Sequence, residues 1–262
     1  MSRKQPVNCA LEQRHGLARV LSKKGLASRS QAAIWIRAGR VSVNGRIEHD
    51  PEFPVRMSVD EISVSGETVA GIERLVLMLN KPRGLVTTVS DEQNRDTVYS
   101  CFANAELPWI APVGRLDKAS EGMLLFTNDP QWAASITNPV TGPDKTYHVQ
   151  INGIPKETDL QTMMRGVNME GEMLSAKTAK ILRSGEKNTW LEIVLDEGKN
   201  RQIRRLLNGF DFEVLRLLRV AMGSLQLGGL AKGQWRVLSA AEIYELQPGG
   251  KILTSHMKRI PF

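Results

Sequence analysis

Between Gly114 and Asp129 the chain reads Gly-Arg-Leu-Asp-Lys-Ala-Ser-Glu-Gly-Met-Leu-Leu-Phe-Thr-Asn-Asp, and no other stretch restricts the fold as strongly. Met123 to Phe126 is an unbroken apolar run, which predicts a buried strand committed to the core rather than to a ligand. The charged triplet Arg115-Leu116-Asp117 lies just ahead of it. One carboxylate is thereby placed at the mouth of a core element, partly withdrawn from water yet open to a substrate.

The chain of 262 residues, 41% hydrophobic, accommodates one large domain and a small one. Its net charge of +7 favours an anionic partner, with nucleic acid the foremost candidate. The charge is uneven: residues 1–46 hold ten lysines and arginines against the single acid Glu12, while residues 47–74 hold seven acids against Arg56 and Arg74. Such a basic face with an acidic rear suits a phosphate-binding module. Cys9 and Cys101 stand far apart and the four histidines lack metal-ligand spacing, which argues against a disulfide framework and against a metal site. No apolar run approaches the ~20 residues of a membrane span, and the N-terminus lacks the apolar core of a signal peptide. The expectation is a cytoplasmic, monomeric protein without membrane association, metal or cofactor.

Residues 1–13 are polar and aperiodic and read as a flexible basic arm. Leu17, Val20 and Leu21 follow helical spacing up to Gly25, and Ser28 is placed to cap a second helix carrying Ala32, Ala33 and Ile36 toward a core. Val41 to Ile47 alternates around Asn44-Gly45, a hairpin signal. Residues 14–73 therefore form a first small domain, with 66–74 as its linker. Leu75 to Leu79 opens a larger domain over 74–248, and 249–262 reads as a basic tail. In the larger domain, strands are expected around 122–127, 146–151, 190–195 and 214–220, with helices near 130–137, 158–165 and 200–208. These do not alternate as regular βαβ units, so the prediction is an α+β fold on a mixed, largely antiparallel sheet with flanking helices.

Three further segments carry chemistry. Asp144-Lys145-Thr146-Tyr147-His148-Val149 is a charged turn entering a strand with Tyr147 directed inward. Glu197 to Leu207 contains Asn200 as a helix cap and Ile203, Leu206 and Leu207 as a buried stripe. Leu217-Leu218-Arg219-Val220-Ala221-Met222-Gly223 is a strand running into a glycine turn.

These strings, in this order with the one around Asp117, resemble the motifs of the bacterial pseudouridine synthases that modify small-subunit and large-subunit ribosomal RNA. Leu17 to Gly45, with Gly25-Leu26-Ala27-Ser28-Arg29 and Val43-Asn44-Gly45, resembles the S4 RNA-binding domain that commonly precedes them. The resemblance covers about Leu17 to Leu246. It implies an S4-like domain followed by a synthase domain, acting without cofactor on ribosomal RNA as a structured stem-loop or assembling subunit. Asp117 is then the nucleophile, Tyr147 stacks on the target base and takes part in its deprotonation, and Arg204 pairs with the aspartate. Arg115 is expected to support the flipped nucleotide and Leu218 to line the base pocket. Lys23, Lys24, Arg29, Arg37 and Arg40 are the candidate phosphate contacts of the S4-like domain.

The implied roles are chemically coherent. A guanidinium within ~4–6 Å keeps a carboxylate ionised, arginine holds its charge when partly buried, and an aromatic ring gives an unstacked base a platform worth about 1–3 kcal/mol. The implied reaction breaks the N1–C1′ bond of uridine and joins C5 to C1′. Asp117 acts at C1′, at uracil C6, or in loss of the C2′ proton, and the sequence leaves these routes open. Two other readings are a non-catalytic RNA-binding assembly factor on the same fold and a carboxylate-dependent hydrolase of nucleosides or glycans, with Glu121 as second acid. The large-subunit RNA is slightly favoured as substrate over the small-subunit one.

Overall fold

A computed structural model describes residues 13–69, 73–89 and 91–250. The basic arm, except residue 13, and the tail from residue 251 lie outside them, with Cys9. Packing divides the chain into two compact units, one running through Arg74 with the short segments 107–111 and 128–130, the other formed by the remainder.

In the smaller unit, β1 (His15–Gly16) leads into α1 (Leu17–Lys23) and α2 (Arg29–Arg37). Ser28 caps α2 by accepting the Gln31 amide at 3.1 Å, satisfying one of the orphan donors at a helix start. Strands β2 (Val41–Val43) and β3 (Arg46–Glu48) form the expected hairpin, with Asn44 and Gly45 both at positive φ as its two-residue turn requires. After β4 (Pro54–Val55), which pairs with β1, come β5 (Ile62–Val64) and β6 (Glu67–Thr68), completing a sheet ordered β3-β2-β5-β6. The linker reading of 66–74 thus fails at its start. Ser65 and Gly66, at φ 53° and 88°, fold the chain back so that Glu67 and Thr68 pair with β5. Leu17, Val20, Leu21, Ala32, Ile36, Val41 and Ile62 fill the core beneath, while Ala33 packs at its margin.

The larger unit contains β7 (Val76–Lys81), β8 (Ala111–Val113), β9 (Glu121–Thr127), α3 (Pro130–Thr137), β10 (Lys145–Asn152), α4 (Glu157–Arg165) and the hairpin β11 (Val167–Met169) with β12 (Glu172–Leu174). It continues through β13 (Thr178–Ser184), β14 (Asn188–Leu195), α5 (Gln202–Asn208), β15 (Val214–Met222), β16 (Leu225–Gln226), β17 (Trp235–Val237) and α6 (Ala240–Glu245). Among the described residues, nine strands make one sheet whose main path is β13-β14-β10-β15-β9-β7-β17, with β8 beside β9 and β16 beside β15. Every pairing on that path is antiparallel except β9 with β15, giving the mixed, largely antiparallel sheet that the pattern predicts.

Burial explains the two kinds of strand. β7 and β9 are buried at every residue and carry continuous apolar runs, whereas β14 alternates, sending Leu191, Ile193 and Leu195 to the core. The α5 stripe of Ile203, Leu206 and Leu207 packs against that same core. The parallel joint consists of two register pairs, Leu218 with Glu121 and Arg219 with Gly122. Gly122 sits there at φ 97°, and a Cβ on it would lie 2.3 Å from the Arg219 carbonyl oxygen, so only glycine fits.

Candidate active site

Residues 114–120 form the loop entering β9, and its backbone is pinned from several sides. Thr87 Oγ1 donates to the Leu116 carbonyl at 2.7 Å, and the Gly84 amide donates to the Lys118 carbonyl at 2.8 Å. Lys81, the last residue of β7, is fully buried and points its ammonium at three carbonyls: Ser120 at 2.8 Å, Asp117 at 3.2 Å and Pro82 at 3.2 Å. Burial pulls its pKa down to about 8, although Asp117, Cys101 and Glu121 act in the opposite direction. The clamp fixes the main chain of Asp117 and leaves its carboxylate free to project.

That carboxylate is 37% exposed and lines a cleft of about 470 Å³ together with Arg115, Tyr147, Arg201, Leu217 and Arg219. Its ion pair is made by Arg201, whose Nη1 donates to Oδ2 at 3.4 Å. This corrects the expected pairing with Arg204. Arg204 lies on α5 itself, and its guanidinium is spent on backbone, donating to the Val214 carbonyl at 3.2 Å and the Ala119 carbonyl at 3.4 Å. Burial and the neighbouring Arg201 lower its pKa, with Asp117 partly offsetting them.

The helix start is the reason for the exchange. Asn200 does not cap α5; Arg201 occupies that position in the left-handed region, at φ 48°. Gln202 reaches back to accept the Lys199 amide at 3.1 Å and donates to Glu197 Oε1 at 2.7 Å and to the Ser175 carbonyl at 3.0 Å. The loop is thereby held with Arg201 ahead of the helix, opposite Asp117.

Tyr147 is half-buried, packs on the core and faces the cleft. It stands directly across from Arg219 in the β10–β15 register. Leu218 does not line the cleft: it packs against the cluster of Met123, Trp132 and Met222. Leu217 takes its place, because side chains alternate along β15 and a shift of one residue exchanges the faces. Arg115 is exposed at the cleft margin. Glu121, weighed as a second acid, is only 2% exposed and bound to Arg216 at 3.1 Å and Lys232 at 2.6 Å. Burial alone would raise its pKa; the two cations outweigh burial and leave it lowered. A carboxylate so occupied has no free oxygen to serve as acid or base.

The five basic residues of the smaller unit divide into two kinds. Arg29 and Arg37 are exposed on α2. The other three are engaged: Lys23 Nζ lies 3.1 Å from His15 Nε2, Lys24 donates to the Val69 carbonyl at 3.4 Å, and Arg40 binds Ser65 Oγ at 3.2 Å while stacking on Trp35. Among the described residues, no cluster of His, Cys, Asp or Glu could hold a metal, and no helix is long and apolar enough to cross a membrane.

Sequence reasoning missed Arg201, Lys145, Arg219 and Lys81. Lys145 and Arg219 line the cleft and are buried, with Lys145 donating to the Asp196 carbonyl at 3.2 Å. For Lys145 and Lys81 the available signal was position: they stand at the first residue of β10 and the last of β7, where a charge has to be either capped or functional.

Residues 16–62 match the S4 domain family, and residues 75–209 match the family described as RNA pseudouridylate synthase. Over 88% of its length the chain is 34% identical to the ribosomal large subunit pseudouridine synthase B of Bacillus subtilis (strain 168), covering 95% of that protein. It is 36% identical to the protein of the same name from Salmonella typhimurium, over 86% of this chain and 80% of that one. A solved pseudouridylate synthase matches 89% of this chain and 99% of its own, at 30% identity and a TM-score of 0.62. The chain therefore belongs to the RNA pseudouridylate synthase family and carries an S4 domain ahead of the synthase fold.

Proposed function

We propose that the protein converts a specific uridine of ribosomal RNA to pseudouridine in the cytoplasm, with large-subunit RNA as the substrate and Asp117 as the nucleophile. The observation that carries this reading is the Asp117 carboxylate, clamped through its backbone by Lys81, paired with Arg201 and sharing one cleft with Tyr147. The large-subunit assignment is supported by the names of the two relatives above, both ribosomal large subunit pseudouridine synthases.

The geometry suits the chemistry. A uridine must leave its stack to reach a carboxylate in a cleft, at a cost of a few kcal/mol. Tyr147 offers the extruded base an aromatic face, and Arg201 orients the Asp117 carboxylate by donating to its Oδ2. The S4 domain supplies binding energy from contacts other than those at the reacting atoms, which can be applied to that extrusion. The N1–C1′ electron pair departs with the uracil; C5 then bonds to C1′, a proton leaves C5 and N1 is protonated. Nothing is added or removed overall.

The test is to map pseudouridine across both ribosomal RNAs by carbodiimide labelling and primer extension, in cells with and without the gene. One large-subunit site is expected to disappear and to return with wild type but not with Asp117→Asn. Purified Asp117→Asn should bind the RNA within a few-fold of wild type, and substantial isomerisation by it would sink the nucleophile assignment.

A further inference from the structure

The floor of the cleft holds a cation that the protein itself does not neutralise. Arg219 is 5% exposed, and among the described residues its guanidinium makes one hydrogen bond, from Nε to the Met123 carbonyl at 2.7 Å. Nη2 is buried without a partner, and among the described residues no carboxylate forms an ion pair with the group. A second cation, Lys145, lines the same cleft, is also buried, and among the described residues donates to the Asp196 carbonyl at 3.2 Å. Burial and then the Arg219 charge depress the Lys145 pKa, and the Asp144 and Asp196 carboxylates offset them only in part. Two buried, mutually repelling cations with unused donors carry a real desolvation cost, and such a group in a native protein calls for an acceptor supplied from outside.

We propose that Arg219, supported by Lys145, is an oxyanion site for the uracil ring of the target uridine. The inference rests on the pseudouridine synthase reading and adds a substrate contact to it. Tyr147 is the direct cross-strand neighbour of Arg219, so a ring stacked on the tyrosine brings its exocyclic oxygens to the Arg219 donors. Negative charge reaches those oxygens on each chemical route. When the C1′–N1 bond breaks, by attack at C1′ or after C2′ proton loss, the electron pair stays with the uracil and spreads over N1, O2 and O4. When the carboxylate adds at C6, the charge appears on the C5–C4–O4 enolate. Preorganised donors aimed at such charge in a desolvated cleft need no rearrangement as it develops.

Arg219→Met, Arg219→Lys and wild type are compared on a large-subunit RNA transcript, reading affinity, single-turnover rate and Tm. The expected result is a rate about 10²-fold or more lower for Arg219→Met, in the range found for loss of an oxyanion donor. Affinity should stay within a few-fold, Arg219→Lys should recover part of the rate, and the Tm should hold or rise because a costly buried charge is gone. An unchanged rate overturns the proposal. So does weakened binding with a flatter salt dependence and intact rate, which would assign Arg219 to a phosphate. A marked fall in Tm for Arg219→Met that Arg219→Lys restores would make the residue structural and also overturn it. If wild type itself converts no uridine, the activity reading fails instead.

Discussion

Replacing Gly122 by alanine probes the joint on which the cleft depends. The added Cβ would stand 2.3 Å from the Arg219 carbonyl oxygen, 2.9 Å from the Arg219 amide nitrogen and 2.7 Å from Leu218 Cδ1. Ordinary contact begins near 3.4 Å, so β15 must retreat from β9 by about 1 Å. A retreat of that size stretches ladder hydrogen bonds of ~2.9 Å beyond bonding distance. The parallel joint has only two register pairs to lose. At about 1 kcal/mol for each lost bond, and with about 1–3 kcal/mol for a non-glycine residue held at φ 97°, the substitution should cost roughly 3–5 kcal/mol. Against a typical total of about 5–15 kcal/mol this is severe. At ~2–4 °C per kcal/mol for a domain of this size, the Tm should fall by about 6–20 °C. Calorimetry of the purified variant reads the shift directly. Turnover measured well below the lowered Tm should fall as well, because the same retreat carries Arg219 away from the Asp117 loop. A Tm within about 2 °C of wild type, with unchanged turnover, would refute the tight joint and the positioning argument built on it.

Lys81 makes a prediction with a defined sign. Its pKa of about 8 in the fold lies below the 10.5 of a free lysine, so the folded chain disfavours the charged form. The penalty is fully present below pH 8 and is relieved as pH rises from about 8 to 10.5. Relative to Lys81→Met, wild type should therefore gain about 3 kcal/mol of stability over that window in urea titrations; a flat or falling difference would contradict the buried ammonium. Charge reversal of Lys23, Lys24 and Arg29 should weaken RNA binding and flatten its salt dependence in filter-binding titrations, and unchanged binding would mean that the S4 domain is not the anchor.

What the sequence could reveal was set by how local each determinant is. The buried strand after Asp117 was legible because four adjacent apolar residues need no partner to declare themselves. The Asn44-Gly45 hairpin and the α5 stripe were legible for the same reason. The choice of Arg201 over Arg204 was not, since it depends on a left-handed residue held by Gln202 through contacts with Ser175 and Glu197. Leu217 and Leu218 are chemically indistinguishable in a strand. Which one faces the cleft follows from the register with β10, including an irregularity between Thr146 and Tyr147. Lys81, two residues beyond the apolar run that ends at Leu79, carries no local mark of burial. Its burial is decided by carbonyls 36 and 39 residues further along the chain.

The registers of three successive strand pairs connect these residues. Lys81 pairs with Gly122 across β7–β9, Gly122 with Arg219 across β9–β15, and Arg219 with Tyr147 across β15–β10. One row across four strands thus contains the clamp on the Asp117 backbone, the close approach that brings the two halves of the sheet together, the uncompensated cation and the stacking ring. Rows of this kind ordinarily hold apolar residues, and the buried charges at Lys81 and Arg219 oppose folding rather than assist it. The cost is tolerable because β7 and β9 are buried throughout and carry the apolar runs Val76 to Leu79 and Met123 to Phe126. Geometry then follows from register: moving any of the four strands by one residue would turn a member of the row to the opposite face. The central sheet, acting through the Lys81 clamp on the Asp117 loop, therefore sets where the carboxylate stands relative to the base it addresses.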